Sequence, residues 1–370
     1  MIHIDGREIG TGTRPYLIAE MSGNHNQSLA RALAIVDAAA DAGADAIKLQ
    51  TYTADTMTLN IRAPGFVIDD PKSLWAGRQL YELYAEAATP KEWHAALMER
   101  ARSRGIHCFS SPFDDGAVDF LESLHVPAYK IASFECGDLA LVRKVAATGK
   151  PVIISTGMAS LAEIDEAVRC ARAAGCTQIV LLKCTSTYPA TPENTHIRTI
   201  PALREAFGTE VGLSDHTMGV GVALASVALG ASVIEKHFTL RRDEGGVDSA
   251  FSLEPAEFAQ LRVESERAWQ SLGQVRFGAT AAEAGSVQFR RSLYIVKPVR
   301  AGELLTRDNV RAIRPGFGMA PKHLEQVLGC RLAVSATAGT PLSWELINAG
   351  ESVAVVSELG SAVTARAGRQ

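Results

Sequence analysis

Two short runs, Gly212-Leu213-Ser214-Asp215-His216-Thr217 and Val233-Ile234-Glu235-Lys236-His237-Phe238, each read as a strand that ends in histidine. The segment between them suits one crossover helix. Parallel neighbours joined in this way bring His216 and His237 together at their carboxyl ends, where barrel enzymes keep their chemistry. Two imidazoles on a rigid rim, with Glu235 and Asp215 close by, define a candidate site for a divalent metal ion. The competing reading of a strand-end histidine is a hydrogen-bonded structural residue.

Other strand ends carry a second set of polar residues. Period-two alternation puts Lys48 on one face with Ala46 and Gln50, opposite Ile47 and Leu49, and points its ammonium into a barrel mouth. Lys48 and Lys130, with Ser133 and Ser155 nearby, suit a small anion of high charge. Ammonium groups supply point charges for phosphate, while hydroxyls and backbone N–H groups fix its orientation. Ser110, Ser111, Lys183, Thr185 and Tyr188 also fall at or just beyond strand ends. A single inward lysine can equally pair with a carboxylate. Glu20 is the general-base candidate, since a rim carboxylate can activate water; an ion pair with one of the lysines is its other reading.

These side chains need a frame that aims them at one point. Strands are expected at residues 16–21, 46–51, 107–113, 129–133, 152–156, 179–185, 211–214 and 233–238. Amphipathic helices are expected between them at 28–42, 90–104, 114–124, 139–148, 160–174, 197–207 and 220–229, with a last one at 255–271. Ser28 and Ser160 read as N-caps, and Gly43, Gly105, Gly149, Gly175 and Gly230 stand just past helix ends. Alternating strands and helices in this number predict an α/β fold, a closed (β/α)8 TIM barrel over residues 1–272. An open, doubly wound sheet is the alternative, but no glycine-rich dinucleotide loop follows the first strand.

One connection is long. Residues 52–89 hold a polar loop with Pro64-Gly65 and Asp69-Asp70-Pro71, then an aromatic helix expected at 73–88. Such an excursion on a barrel's active face reads as a lid or a substrate-binding insert. Residues 273–289 are small, polar and aperiodic, and read as a linker. Residues 290–350 read as a small β-rich domain, with a strand at 293–296, a turn at 299–303, a helical turn at 306–310 and a constrained loop at 313–318. Residues 351–370 are Ala/Ser/Gly-rich and read as a mobile tail.

Composition excludes several function classes. Lys and Arg total 37 against 41 Asp and Glu, a net charge of −4, so no global basic field recruits nucleic acid or a membrane surface. Anion recognition must be local. The longest uncharged run, residues 218–234, is short for a span and leads straight into Glu235-Lys236-His237. The six cysteines, Cys108, Cys136, Cys170, Cys176, Cys184 and Cys330, form no C-x-x-C pair and read as reduced thiols in a cytoplasmic protein.

Several separated motifs together resemble the sialic acid synthase family. They are Ile18-Ala19-Glu20-Met21-Ser22-Gly23-Asn24-His25-Asn26, Lys48-Leu49-Gln50-Thr51, Tyr129-Lys130-Ile131-Ala132-Ser133, Ile154-Ser155-Thr156-Gly157-Met158, and the two histidine-ended runs. The segment from Arg290 is similar to that family's antifreeze-like (SAF-type) domain. Leu80-Tyr81-Glu82-Leu83-Tyr84, Glu92-Trp93-His94 and Gly245-Gly246-Val247-Asp248-Ser249-Ala250-Phe251-Ser252-Leu253 resemble its pseudaminate branch. N-acetylneuraminate synthases typically carry a Gly-Pro-Asp version of that last stretch, and an Asn where Ser186 stands.

The resemblance implies condensation of phosphoenolpyruvate with the open-chain form of a 6-deoxy diacetamido hexose. It implies His216 and His237 as ligands of a divalent metal, Mn²⁺ with Mg²⁺ or Co²⁺ as alternatives, and Glu20 as the base. It implies Lys48, Ser111, Lys130, Ser133, Ser155 and Ser214 around phosphoenolpyruvate, and Tyr188, Asp248, Phe289 and Arg314 around the sugar. Arg314 would come from the small domain of a partner subunit, in a domain-swapped homodimer. N-acetylneuraminate or legionaminate synthesis is the alternative within the family, and a non-catalytic sugar-binding protein the alternative outside it.

Overall fold

The computed structural model describes residues 2–347. The end of the expected small domain and the expected tail at 351–370 lie outside the described residues. The chain divides into two compact units, one ending at Gly273 and one beginning at Gln274.

The first unit opens with an antiparallel pair, β1 (Ile2–Ile4) and β2 (Arg7–Ile9), too short for its pattern to stand out in the sequence. Its Ile2, Ile4 and Ile9 are buried in the core of the unit. Eight parallel strands follow and close into a barrel: β3 (Tyr16–Glu20), β4 (Ala46–Thr51), β5 (His107–Pro112), β6 (Tyr129–Ile131), β7 (Val152–Ser155), β8 (Ile179–Cys184), β9 (Glu210–Asp215) and β10 (Val233–His237). Strand β10 pairs with both β9 and β3, which completes the ring. The helices between them are α1 (Leu29–Asp41), α2 (Ala54–Met57), α3 (Leu80–Ala87), α4 (Lys91–Ser103), α5 (Asp115–Ser123), α6 (Leu139–Ala146), α7 (Leu161–Ala173), α8 (Thr199–Phe207) and α9 (Gly221–Ala228), and α10 (Pro255–Ser271) follows the last strand.

Local chemistry sets the helix bounds. Ser28 accepts from the Arg31 backbone N–H at the start of α1, and Ser160 with Glu163 forms a reciprocal capping box at α7. The barrel strands are buried nearly end to end because helices cover their outer face.

Register decides which residues face inward. His237 stands opposite Glu20, Glu20 opposite Lys48, and Glu235 opposite Ser214. Alternation turns the intervening residues outward, so Lys236 and Asp215 meet behind the barrel wall, 3.0 Å apart, with both side chains fully buried. Beneath the mouth, Gly212 lets the barrel pack closely: a Cβ there would lie 2.2 Å from the Val233 carbonyl oxygen and 2.8 Å from Leu182.

Three elements differ from expectation. The aromatic segment 73–88 is helical only over Leu80–Ala87; Gly77, at φ +79°, breaks it, and Ile68 instead exchanges backbone hydrogen bonds with Gly77 and Arg78. The strand expected at 129–133 stops at Ile131, and Ser133–Glu135 forms a 3-10 turn. The segment 306–310 is a tight turn in which the Asn309 side chain accepts from the Thr306 N–H at 2.7 Å, with Val310 already in a strand.

In the second unit, the stretch read as a linker contains a short helix, α11 (Ala284–Val287), after a Thr280-capped turn. Strands β11 (Ser292–Ile295) and β12 (Val310–Ile313) pair antiparallel. Their Leu293, Ile295 and Val310 join Val299, Leu305 and Leu332 in a small separate core.

The Lys236–Asp215 pair makes a stability prediction. Replacing Lys236 by Met leaves the Asp215 carboxylate buried without its cation, at a cost of about 3–5 kcal/mol. Urea denaturation of Lys236→Met should show a midpoint well below wild type; an unchanged midpoint would reject the pair's role.

Candidate active site

The carboxyl ends of the barrel strands surround a cavity of about 510 Å³. Its floor is a cluster of opposite charges. Lys48 contacts Glu20 in a close ion pair and lies 3.8 Å from Glu235, while Lys130 lies 3.1 Å from the other oxygen of Glu235. All four side chains are buried. Hydroxyls and amides complete the cluster. Ser111 accepts from Lys48 at 3.3 Å, Ser214 donates to Glu235 at 2.9 Å, and Gln50 donates to Glu20 at 2.8 Å.

The two carboxyls are pushed in opposite directions. Burial raises the pKa of Glu20, and the neighbouring Lys48 only partly offsets it, so Glu20 ends above the usual carboxylate range. Burial acts the same way on Glu235. There Lys130 and Lys48 outweigh it, with hydrogen bonds from Lys130 and Ser214, and hold Glu235 below that range. A pair of carboxyls separated in this way is an arrangement suited to one permanent counter-ion and one proton-exchanging group.

The imidazoles of His216 and His237 meet at the rim with ring centroids 5.2 Å apart. His216 Nδ1 lies 2.9 Å from the Thr185 carbonyl oxygen, which can only accept, so the proton sits on Nδ1 and leaves Nε2, shared with the Cys184 thiol, as the nitrogen that could bind a ligand. His237 Nδ1 is buried with no hydrogen-bond partner, and it lies 3.8 Å from Asp248. Burial, then the charges of His216 and the lysines, push His237 well below the ordinary histidine range, which keeps it neutral. His216 moves the other way: its bond to Cys184 and the Thr185 carbonyl outweigh burial and raise it. The Cys184 thiol, which burial would raise, is drawn down to about 7 by His216, Ser133 and Lys130. Ser22 donates to Asp248 in a short hydrogen bond, and burial raises the Asp248 carboxyl.

A divalent ion fits these two nitrogens: one imidazole is anchored through its far nitrogen, and the other has an orphaned buried nitrogen. Among the described residues no group of three or more His, Cys, Asp and Glu side chains converges on a metal position. Water or substrate would have to supply the remaining ligands, as in an open site.

The structure brings Glu20, Lys48, Ser111, Lys130, Ser133, Tyr188, Ser214, His216, His237 and Asp248 into one cavity. Others fall elsewhere. Ser155 is buried with no partner for its Oγ and is not among the residues that line the cavity. Asp215, expected beside the histidines, faces outward to Lys236, as strand alternation requires. Lys183 turns back onto the Cys184 carbonyl and Thr185. Phe289 and Arg314 belong to the second unit, where both are exposed. Gln50, placed by strand parity on the inward face with Lys48, lines the cavity, and so do Ser22, Cys184 and Trp75, which were not singled out. Strand parity could have found Cys184, which shares a face with Leu182; Ser22 and Trp75 sit on loops, where no periodicity applies.

A closed (β/α)8 barrel whose strand ends gather two lysines, two carboxylates and two imidazoles in a cavity defines a barrel enzyme of the phosphate- or carboxylate-handling kind. Residues 35–277 match the NeuB family, and residues 290–348 match the SAF domain. The chain belongs to the NeuB family, the sialic acid synthases. It is 42% identical over 331 residues to a pseudaminic acid synthase of Helicobacter pylori, covering 89% of this chain and 96% of the relative. A pseudaminic acid synthase of Campylobacter jejuni is 44% identical over 319 residues, covering 86% and 92%. Among solved structures, the N-acetylneuraminic acid synthetase of Leptospira borgpetersenii superposes with a TM-score of 0.69 at 32% identity, over 77% of this chain and 94% of that one.

The opposed carboxyl shifts predict unequal effects on stability. For Glu20 the folded-state pKa is raised, so its ionised form costs stability above the ordinary glutamate pKa and nothing below it. Glu20→Gln removes that cost but leaves the buried Lys48 with Glu235 alone, at 3.8 Å, so at neutral pH it should melt closer to wild type than Glu235→Gln, with the difference between the two shrinking as pH falls through the ordinary carboxylate range. Glu235 has a lowered pKa, so its contribution is present at neutral pH and lost in acid. Glu235→Gln should melt lower than wild type at pH 7. Thermal melts that fall alike for both variants would contradict this assignment of the charges.

Proposed function

We propose that this chain condenses phosphoenolpyruvate with the open-chain form of 2,4-diacetamido-2,4,6-trideoxy-L-altrose, giving pseudaminic acid and phosphate. The observation that carries the reading is the meeting of Glu20, Lys48, Lys130, His216 and His237 in one buried cavity. The identities of 42% and 44% to proteins named pseudaminic acid synthase, against 32% to the N-acetylneuraminic acid synthetase, support this sugar over N-acetylmannosamine.

In this reading the phosphate and carboxylate of phosphoenolpyruvate take Lys48 and Lys130, with Ser111 and Ser133 donating to their oxygens, while Ser214 keeps its hydrogen bond to Glu235 beside them. The floor carries as many carboxylates as ammonium groups, so further positive charge must come from elsewhere to receive so acidic a substrate. His216 and His237 would hold a divalent ion, Mn²⁺ with Mg²⁺ or Co²⁺ as alternatives, which when bound supplies Lewis acidity at the sugar aldehyde and part of that charge. Tyr188 and Asp248 orient the sugar. Carbon 3 of phosphoenolpyruvate bonds to the aldehyde carbon, and carbon 2 is left cationic. Glu20 takes a proton from the water that bonds to carbon 2, a role suited to its raised pKa. The bond between carbon 2 and the phosphate oxygen then breaks. Water has supplied the ketone oxygen; one of its protons ends on the new hydroxyl and the other leaves with phosphate.

Arg314 and Phe289 are read as reaching the sugar from the second unit of another copy, in a domain-swapped homodimer. The free state of all six cysteines supports a cytoplasmic setting. No helix among the described residues is long and apolar enough to cross a membrane.

Incubation with phosphoenolpyruvate, Mn²⁺ and each candidate sugar, followed by mass spectrometry, tests the reaction. The altrose sugar should yield the nine-carbon keto acid, with kcat/KM at least about 10-fold above that for N-acetylmannosamine. Excess EDTA should abolish turnover and Mn²⁺ restore it. Equal rates with the two sugars would defeat the sugar assignment, and full activity in EDTA would defeat the metal. Absence of product with every sugar would favour a binding protein. The shared site has its own test: inactive Arg314→Ala and His237→Ala proteins, mixed and allowed to exchange subunits, should regain part of the activity. Verified exchange without recovery would count against delivery from a partner.

A further inference from the structure

The chemistry proposed above occupies the charged floor of the cavity and leaves its apolar lining without a task. Met57, Ile68, Trp75, Leu80, Leu83 and Val247 line the same cavity, all but Val247 coming from the excursion between β4 and α4. Trp75 is half-buried, and its indole N–H donates to the Val247 carbonyl oxygen at 2.8 Å. That bond satisfies the ring's one polar atom, so the ring offers the cavity an apolar surface. Tyr188 links this surface to the floor: its ring centroid is 4.5 Å from His216 and 5.9 Å from Trp75. A sugar chain held by its first carbon near the imidazoles therefore carries its far carbons toward Trp75.

The wall is held in place by close packing. A Cβ at Gly23 would lie 3.0 Å from Ala87 of α3 and 3.3 Å from the Val247 side chain, so the first strand–helix loop, α3 and the Val247 loop touch with no slack. A rigid apolar surface favours a methyl group and penalises a hydroxyl that it strips of water without offering a partner.

We infer that this wall, with Trp75 at its centre, is the subsite for the methyl-bearing distal half of the acceptor sugar, and that Trp75 is a specificity-determining residue. The inference rests on the proposed reaction and names the part of the cavity that would select the sugar. Its chemical class of ligand is a deoxygenated, acylamino-substituted carbon chain rather than a fully hydroxylated one.

The test compares kcat/KM for the 6-deoxy diacetamido sugar and for N-acetylmannosamine in wild type, Trp75→Ala and Trp75→Phe. Trp75→Ala should lose about 10-fold or more with the first sugar and much less with the second, because one apolar contact is worth roughly 10–200-fold. Trp75→Phe should retain most of the preference, and KM for phosphoenolpyruvate should stay at the wild-type value in both. Should Trp75→Ala fail to fold, Ile68→Asn on the same wall gives the same readout, since its backbone pairing with Gly77 and Arg78 does not involve the side chain. An unchanged preference in folded Trp75→Ala, or in Ile68→Asn used in its place, or an equal loss with both sugars, would overturn the inference while the proposed reaction stands. A wild-type protein that makes no product from the 6-deoxy sugar would overturn both.

Discussion

Two lysines and two glutamates buried together at the mouth of a barrel are the constraint on which the rest of the site depends. Each charge would be expensive alone in such surroundings, and each is tolerated because an opposite charge touches it. The cost is met by strand geometry rather than by flexible side chains. Glu20, Lys48, Lys130 and Glu235 come from β3, β4, β6 and β10, so the closed hydrogen-bonded ring sets their spacing before any ligand arrives. A cluster assembled in this way is a weak source of stability and a strong source of pre-organisation.

The asymmetry inside the cluster gives it chemical use. Glu235 is tied by Lys130 and Ser214 and acts as a fixed counter-ion. Glu20 is burdened by burial and balanced by one close lysine, which leaves its proton affinity high. The same logic of unequal support extends to the histidines: His216 is anchored to a backbone carbonyl, while His237 keeps an unpartnered nitrogen in the interior. Around this polar floor, the excursion after β4 adds an apolar side to the cavity, so one pocket holds both a charged and a hydrophobic surface.

Much of this was legible in the residues. Alternating β-branched and Ala-rich segments, helix caps and glycine stops located all eight barrel strands, and period-two parity pointed Lys48 inward. What was not legible follows from physics that a linear pattern does not carry. Asp215 and His216 are neighbours in sequence, yet one faces the helices and the other the cavity, and the outward Asp215 is paired because Lys236 on the next strand faces the same way, with the Thr217 backbone N–H donating to its other oxygen. Ser155 ends its strand like the other candidates, yet its hydroxyl is buried without a partner and does not line the cavity, which no pattern along the chain distinguishes. The helix expected at 73–88 was cut short by Gly77, whose left-handed backbone outweighs the aromatic periodicity.

The sequence by itself determined the class of fold, the strand ends at which chemistry could sit, and the family to which the chain belongs, since these rest on periodicity and on residue types at short spacings. Only the tertiary structure decided which carboxylate meets which lysine, that Glu235 serves the ammonium groups, and that Trp75 shares a cavity with the histidines. Those contacts join residues far apart along the chain, and their distances are set by barrel closure, strand stagger and loop packing, none of which any local pattern encodes.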